Sequence, residues 1–212
     1  MQISVLPDMT VEVVAPERAT DSDILKRMNK RGPWICRQIK FFRQYHPRTP
    51  ERRYLAGETH LYLGRRYRLK FFRALQTGIK LKGGHIEVHT HYPSRRKFVR
   101  HQIEEWIKSR AHERFESRLA ACLAKFPVRN RYQPLSLIVR QLKRRWGSMT
   151  KTGRLVLNRS LIQASVYEID YVITHELCHR EHHHHGPKFF ELLERVMPDW
   201  QSRKRSLERR LA

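Results

Sequence analysis

The sequence predicts an α+β fold, with an antiparallel β-rich region over residues 1–95 and a helical region with a small sheet over residues 96–212. Three observations carry this. Apolar and polar residues alternate through much of the first 95 positions. From about residue 97 the apolar positions recur at helical spacing instead. Two short β-rich runs, "LSLIVR" and "RLVLN", interrupt the helical part.

Taken in order, "ISVLPDMTVEVVAP" reads as a hairpin around the Pro7-Asp8 turn signal. Residues 22–45 read as a helix broken at Gly32-Pro33, with Pro33 in the first turn of a second helix and Ile35, Ile39 and Phe42 on its apolar face. "THLYLGRRYRLKFF" alternates around Gly64 and "GIKLKGGHIEVHTHY" around Gly83-Gly84, which predicts two further hairpins. Ile103, Trp106, Ile107, Ala111, Phe115, Leu119 and Leu123 then mark one face of a long helix. Ser165 and Glu168 form a capping box that starts a helix at Val166. Pro187 starts another, with Phe189, Leu192, Leu193 and Val196 on its apolar side, and a last helix carries Trp200 and Leu207.

Composition limits the function classes. At 212 residues and 40% hydrophobic content the chain can bury a real core, and no apolar run is long enough to span a bilayer. The first residues lack the basic and apolar segments of a secretory signal, and three well-separated cysteines read as free thiols in a reducing compartment. A cytoplasmic protein is therefore expected. Lys and Arg outnumber Asp and Glu by 44 to 20, a formal charge of +24. The excess is spread along the chain, so a basic surface is expected to attract anionic partners, nucleic acid among them.

Chemistry is concentrated in "THELCHREHHHHGPKFF", residues 174–190. On a helix capped at Ser165, His175 and His179 lie about one turn apart and project from one face. Two neutral imidazoles so placed can hold one Zn²⁺. Glu176 lies beside that metal, where its carboxylate can take a proton from bound water. The third ligand must come from outside this turn. Either it is His185, just before the Gly186-Pro187 break, or it is a carboxylate of the next helix, Glu191 or Glu194. His182, His183 and His184 fall in the bend and read as solvated.

Residues 144–200 resemble the YgjP-like zinc metallopeptidase family. The likeness rests on W-G-S at 146–148, the L-N strand end at 157–158, the H-E-L-C-H helix, the His-Gly turn and M-P-D-W at 197–200. "LYLGRRYRL" and the final "RRLA" fit too, and "HGPKFF" is similar to the H-G-P-x-F turn of SprT-like proteases. The resemblance implies a zincin-like metallopeptidase region, with His175, His179 and His185 as zinc ligands and Glu176 as general base. The chain departs from the family at Met149, where cysteine is common, so no role of that thiol carries over. Trp146, Gly147 and Ser148 read either as a tight turn before a strand or as substrate contacts.

Between Glu116 and Glu168 there is no acidic residue and eleven basic ones, Lys143, Arg144 and Arg145 among them. If these line the cleft they favour an anionic ligand; otherwise they face solvent. Candidate substrate contacts are Lys143, Arg144, Arg145, Trp146, Ser148 and Asn158. Three functions follow. One is a zinc endopeptidase using "RLVLN" as an edge for an extended peptide. Another is a zinc-dependent nucleoside triphosphate (UTP) pyrophosphatase, with Lys143, Arg144 or Arg145 on phosphates. The last is a basic nucleic-acid-associated protein with a structural zinc, closed by a fourth ligand from His182–His184.

Overall fold

A computed structural model describes residues 1–5, 9–43, 52–143 and 145–211, and the chain divides into two compact units, residues 1–51 and 52–211. In the first unit, β1 (Gln2–Val5) and β2 (Val11–Val14) pair antiparallel, with Val5 opposite Val11. The Pro7-Asp8 turn expected between them and the side chain of Phe42 lie outside the described residues. Helix α1 (Asp21–Arg43) carries Asp21 and Asp23 in its first turn and Lys40 and Arg43 in its last, matching the helix dipole at both ends. It runs through Pro33 and does not break there. The missing N–H removes one hydrogen bond from a 23-residue helix, and the rest of the helix carries the loss.

The second unit opens with four strands: β3 (Thr59–Tyr62), β4 (Arg65–Arg73), β5 (Gly78–Lys82) and β6 (His85–Thr90). Both expected hairpins are present, yet they join through a parallel β4–β6 contact, giving the order β3-β4-β6-β5. Leu69, Ile86 and Val88 line the inner face and pack on Val99 and Ile103 of α2 (Arg96–Leu123). That 28-residue helix is about 42 Å long. Its remaining length, from Ala111 to Leu123, packs into the larger core with Ile169, Ile173 and Leu177. The change of period near residue 95 therefore falls inside one unit, because α2 serves the sheet before it and the helices after it.

A short α3 (Arg129–Tyr132) leads to β7 (Ser136–Arg140), β8 (Gly147–Met149) and β9 (Arg154–Asn158). The order is β7-β9-β8, with β9 parallel to β7 and antiparallel to β8. Two expectations change here. "RLVLN" is the central strand and offers no edge. Trp146-Gly147-Ser148 does not turn: Gly147 and Ser148 lie in the edge strand, and the turn follows at Thr150–Gly153, where the Gly153 N–H donates to Thr150 O at 2.9 Å.

A 3-10 turn (Arg159–Gln163) leads into α4 (Val166–Cys178), followed by α5 (Pro187–Val196) and α6 (Trp200–Leu211). The capping box is formed as expected: the Glu168 N–H donates to Ser165 Oγ, and the Ser165 N–H donates to Glu168 Oε2 at 2.7 Å. Glu168 also accepts from Ser206 and Arg210, which ties the start of α4 to α6. Farther along α4, Asp170 takes a two-pronged contact from Arg118 of α2, both distances 2.7 Å. Helix α4 is thus anchored to both neighbouring helices before it reaches its histidines.

Candidate metal centre

His175 and His179 sit at the end of α4, and His185 returns from the bend just before Pro187 begins α5. One ring nitrogen from each lies within 4.8 Å of the others. His175 Nε2 and His185 Nε2 are 3.0 Å apart. Two nitrogens bound tetrahedrally to one zinc at 2.0–2.1 Å would be about 3.3 Å apart, so the observed spacing fits a shared ion. The donor chemistry fits as well. Burial, and then the neighbouring His179 and His185, push His175 down to about 3, while burial also lowers His179. Both imidazoles stay neutral, the form a metal requires.

Two groups set the rings. His179 Nδ1 lies 2.9 Å from the carbonyl of His182. A carbonyl can only accept, so Nδ1 carries the proton and Nε2 keeps its lone pair. Phe189, fully buried, centres its ring 5.0 Å from His175 and 4.7 Å from each of His179 and His185. It is the apolar platform on which all three imidazoles rest. Of the bend histidines, His183 and His184 are exposed, and His182 contributes its backbone.

Glu176, next to His175 on α4, reaches the edge strand. Its Oε2 accepts the Met149 N–H at 2.8 Å, and only 7% of the residue is exposed. A Cβ at position 147 would come within 2.8 Å of Glu176 Cγ and 2.9 Å of its Oε1, so glycine is needed for the carboxylate to lie there. Burial raises the Glu176 carboxyl to about 7, against the lowering effect of the Met149 N–H and the Arg145 charge. The Thr150 N–H and the Trp146 carbonyl point at β9, so by alternation Gly147 and Met149 point their backbone groups outward. Glu176 therefore occupies the outer edge of β8.

The candidate substrate contacts separate into three kinds. Lys143 and Arg145 are exposed, and Arg145 Nη1 donates to Ser148 Oγ at 3.1 Å. Asn158 is buried and its amide is engaged: Nδ2 donates to the carbonyls of Leu142 and Arg145, and Oδ1 accepts the Ser160 N–H. With Trp146, whose ring packs on the core, it holds the segment before β8 in place. Arg144 lies outside the described residues. Sequence reasoning offered Gly147 only as part of a turn or a substrate contact, and it did not pick out the Met149 N–H or Phe189 as parts of this centre. Glycine inside W-G-S and the first phenylalanine of "HGPKFF" were the available signals. Since position 149 reaches Glu176 through its backbone, methionine in place of cysteine leaves that contact intact.

A family model described as YgjP-like, metallopeptidase domain, matches residues 1–210 of the chain. No curated protein matches it.

Proposed function

The chain belongs to the YgjP-like metallopeptidase family, and from that premise we propose that it is a zinc-dependent hydrolase of peptide bonds, with His175, His179 and His185 as ligands. The observation that carries this reading is Glu176 at the outer edge of a strand, beside three convergent imidazoles. Zinc bound there supplies a Lewis acid and makes water a nucleophile near neutral pH. Glu176 takes the proton of the attacking water and returns it to the leaving amine. An extended peptide pairs with the outward backbone groups of Gly147 and the Met149 carbonyl, which brings its scissile carbonyl to the three histidines, with Glu176 beside the attacking water. The His182 carbonyl keeps His179 in the ligating tautomer, and Phe189 keeps the three rings converged.

Arg145 favours a second reading, the nucleoside triphosphate pyrophosphatase. It is exposed beside β8 and near enough to Glu176 for its charge to lower that carboxyl, so with Lys143 it could receive phosphates. Against a purely structural zinc stands the donor set: His175, His179 and His185 group together among the described residues, which leaves a fourth position open to water or substrate. Casein digestion and pyrophosphate release from UTP, measured side by side on zinc-loaded and chelated protein, test the assignment. Casein cleavage that disappears on chelation and returns with zinc is expected. Zinc-dependent pyrophosphate release with casein left intact would replace it with the nucleotide reading, and no turnover of either substrate would count against both.

A further inference from the structure

An exposed basic surface lies on the four-stranded sheet, apart from the residues of the metal centre. Residues 59–90 contain seven Lys or Arg and one acidic residue, Glu87. The strand register sorts them by face. Leu69, Ile86 and Val88 point inward to α2, so their neighbours in the pleat point outward. Three cross-strand rows result. Arg68, His85 and Lys82 form one, and Lys70, Glu87 and Lys80 the next. In the third, Phe72 and His89 stand beside Gly78, which has no side chain to cover them. Arg68, Lys70, Lys80 and Lys82 are exposed and form no ion pair among the described residues.

The third row is not what a merely solvated face would carry. Phe72 is 40% exposed, and its ring stacks on His89 at 5.1 Å between centroids and 17° between planes. A shallow groove runs over Arg68, Lys70, Phe72 and His85 beside the Ala56-Gly57 turn. Cations in successive rows, two residues or about 6.7 Å apart along the strand, next to an open aromatic pair, match a flexible phosphate backbone with unstacked bases. A duplex keeps its bases stacked and could use the charges alone. We propose that the outer face of β3-β4-β6-β5 binds single-stranded nucleic acid, the lysines and arginine holding phosphates and Phe72 with His89 stacking a base.

Anisotropy of a fluorescein-labelled oligo(dT) on the full chain, titrated over a range of salt, tests this. The wild type is expected to bind with a steep salt dependence. Combined Arg68→Ala, Lys70→Ala and Lys82→Ala should cut the slope of log K against log salt by about 2, at about 0.7 per lost phosphate contact. Phe72→Ala should weaken binding about five-fold or more without changing the slope, Phe72→Tyr should restore it, and the same Phe72→Ala change should leave duplex binding unaltered. Lys151→Ala with Arg154→Ala, on the β8–β9 hairpin, should bind oligo(dT) as the wild type does. Unchanged melting temperatures confirm that each variant is folded. The proposal is overturned if the triple variant keeps wild-type affinity and slope, if the hairpin variant loses as much, or if Phe72→Ala has no effect. It is equally overturned if anionic vesicles or heparin bind and oligo(dT) does not.

Discussion

Gly147 shows how much a single missing atom can decide. A methyl group there would stand 2.8 Å from Glu176 Cγ, and the carboxylate would have to leave the edge of β8. Gly147→Ala should therefore lower turnover by about 100-fold, since a displacement near 1 Å at a reacting group costs that much, while zinc content stays that of the wild type. Steady-state rates with metal analysis check it. Phe189 acts on the other half of the centre. Phe189→Leu keeps an apolar core residue but removes the flat platform under three rings, and zinc affinity should fall by about ten-fold. Competition with a chromogenic chelator reads this directly. Both residues were visible in the sequence, Gly147 in a motif and Phe189 in an apolar stripe. Their contacts were not, because Gly147 meets Glu176 across 29 positions and only the folded sheet brings them together.

At the scale of elements, α4 matters because it must present its last turn in one orientation. Its start was legible: Ser165, Glu168 and the following apolar phase are local signals, and the capping box forms as they predict. Pro187 likewise starts α5 and returns the chain at His185. The pairing of strands was less legible. Alternation reveals a strand and its faces but not its partner, so the parallel β4–β6 contact and the central place of β9 came only from the fold. β8 is three residues long and contains glycine, too short for any period to register. Two outcomes are expected here. Gly64 has φ of +77°, and a Cβ there would sit 2.9 Å from Ser165 Cβ and 3.0 Å from its Cα. Gly64→Ala should thus destabilise the fold by more than about 1 kcal/mol in urea titration. Glu168 supplies a pH dependence. Burial raises its pKa, but hydrogen bonds from Ser206, the Ser165 N–H and Arg210 outweigh this and hold it below the usual carboxylate range. Its stabilisation is present above about pH 4.3 and is lost as pH falls through the lower folded value. Acid titration of Glu168→Gln should lack that part of the loss.

For the whole molecule, the exposed cations of the four-stranded sheet and the histidine cluster of α4 belong to different elements. A formal charge of +24 makes the folded chain repel itself, so its melting temperature should rise between low and near-molar salt as screening shortens the range of that repulsion. Yet the cations are distributed unequally. The sheet of residues 59–90 presents its own rows to solvent, whereas the centre at α4 and β8 brings together three imidazoles and a buried carboxylate, with the charges of Arg145 and Lys204 acting on it. Long helix α2 packs against both regions and makes one unit of them. Composition alone reported the excess of cations, and only register shows which of them share the outer face of the sheet. The central claim is that three histidines hold the metal while Glu176 moves the proton. Zinc content and turnover of Glu176→Gln, measured on the same preparation, test it most directly. The expected result is wild-type zinc with turnover down by about 10²–10⁴-fold. Turnover retained beside wild-type zinc would contradict it.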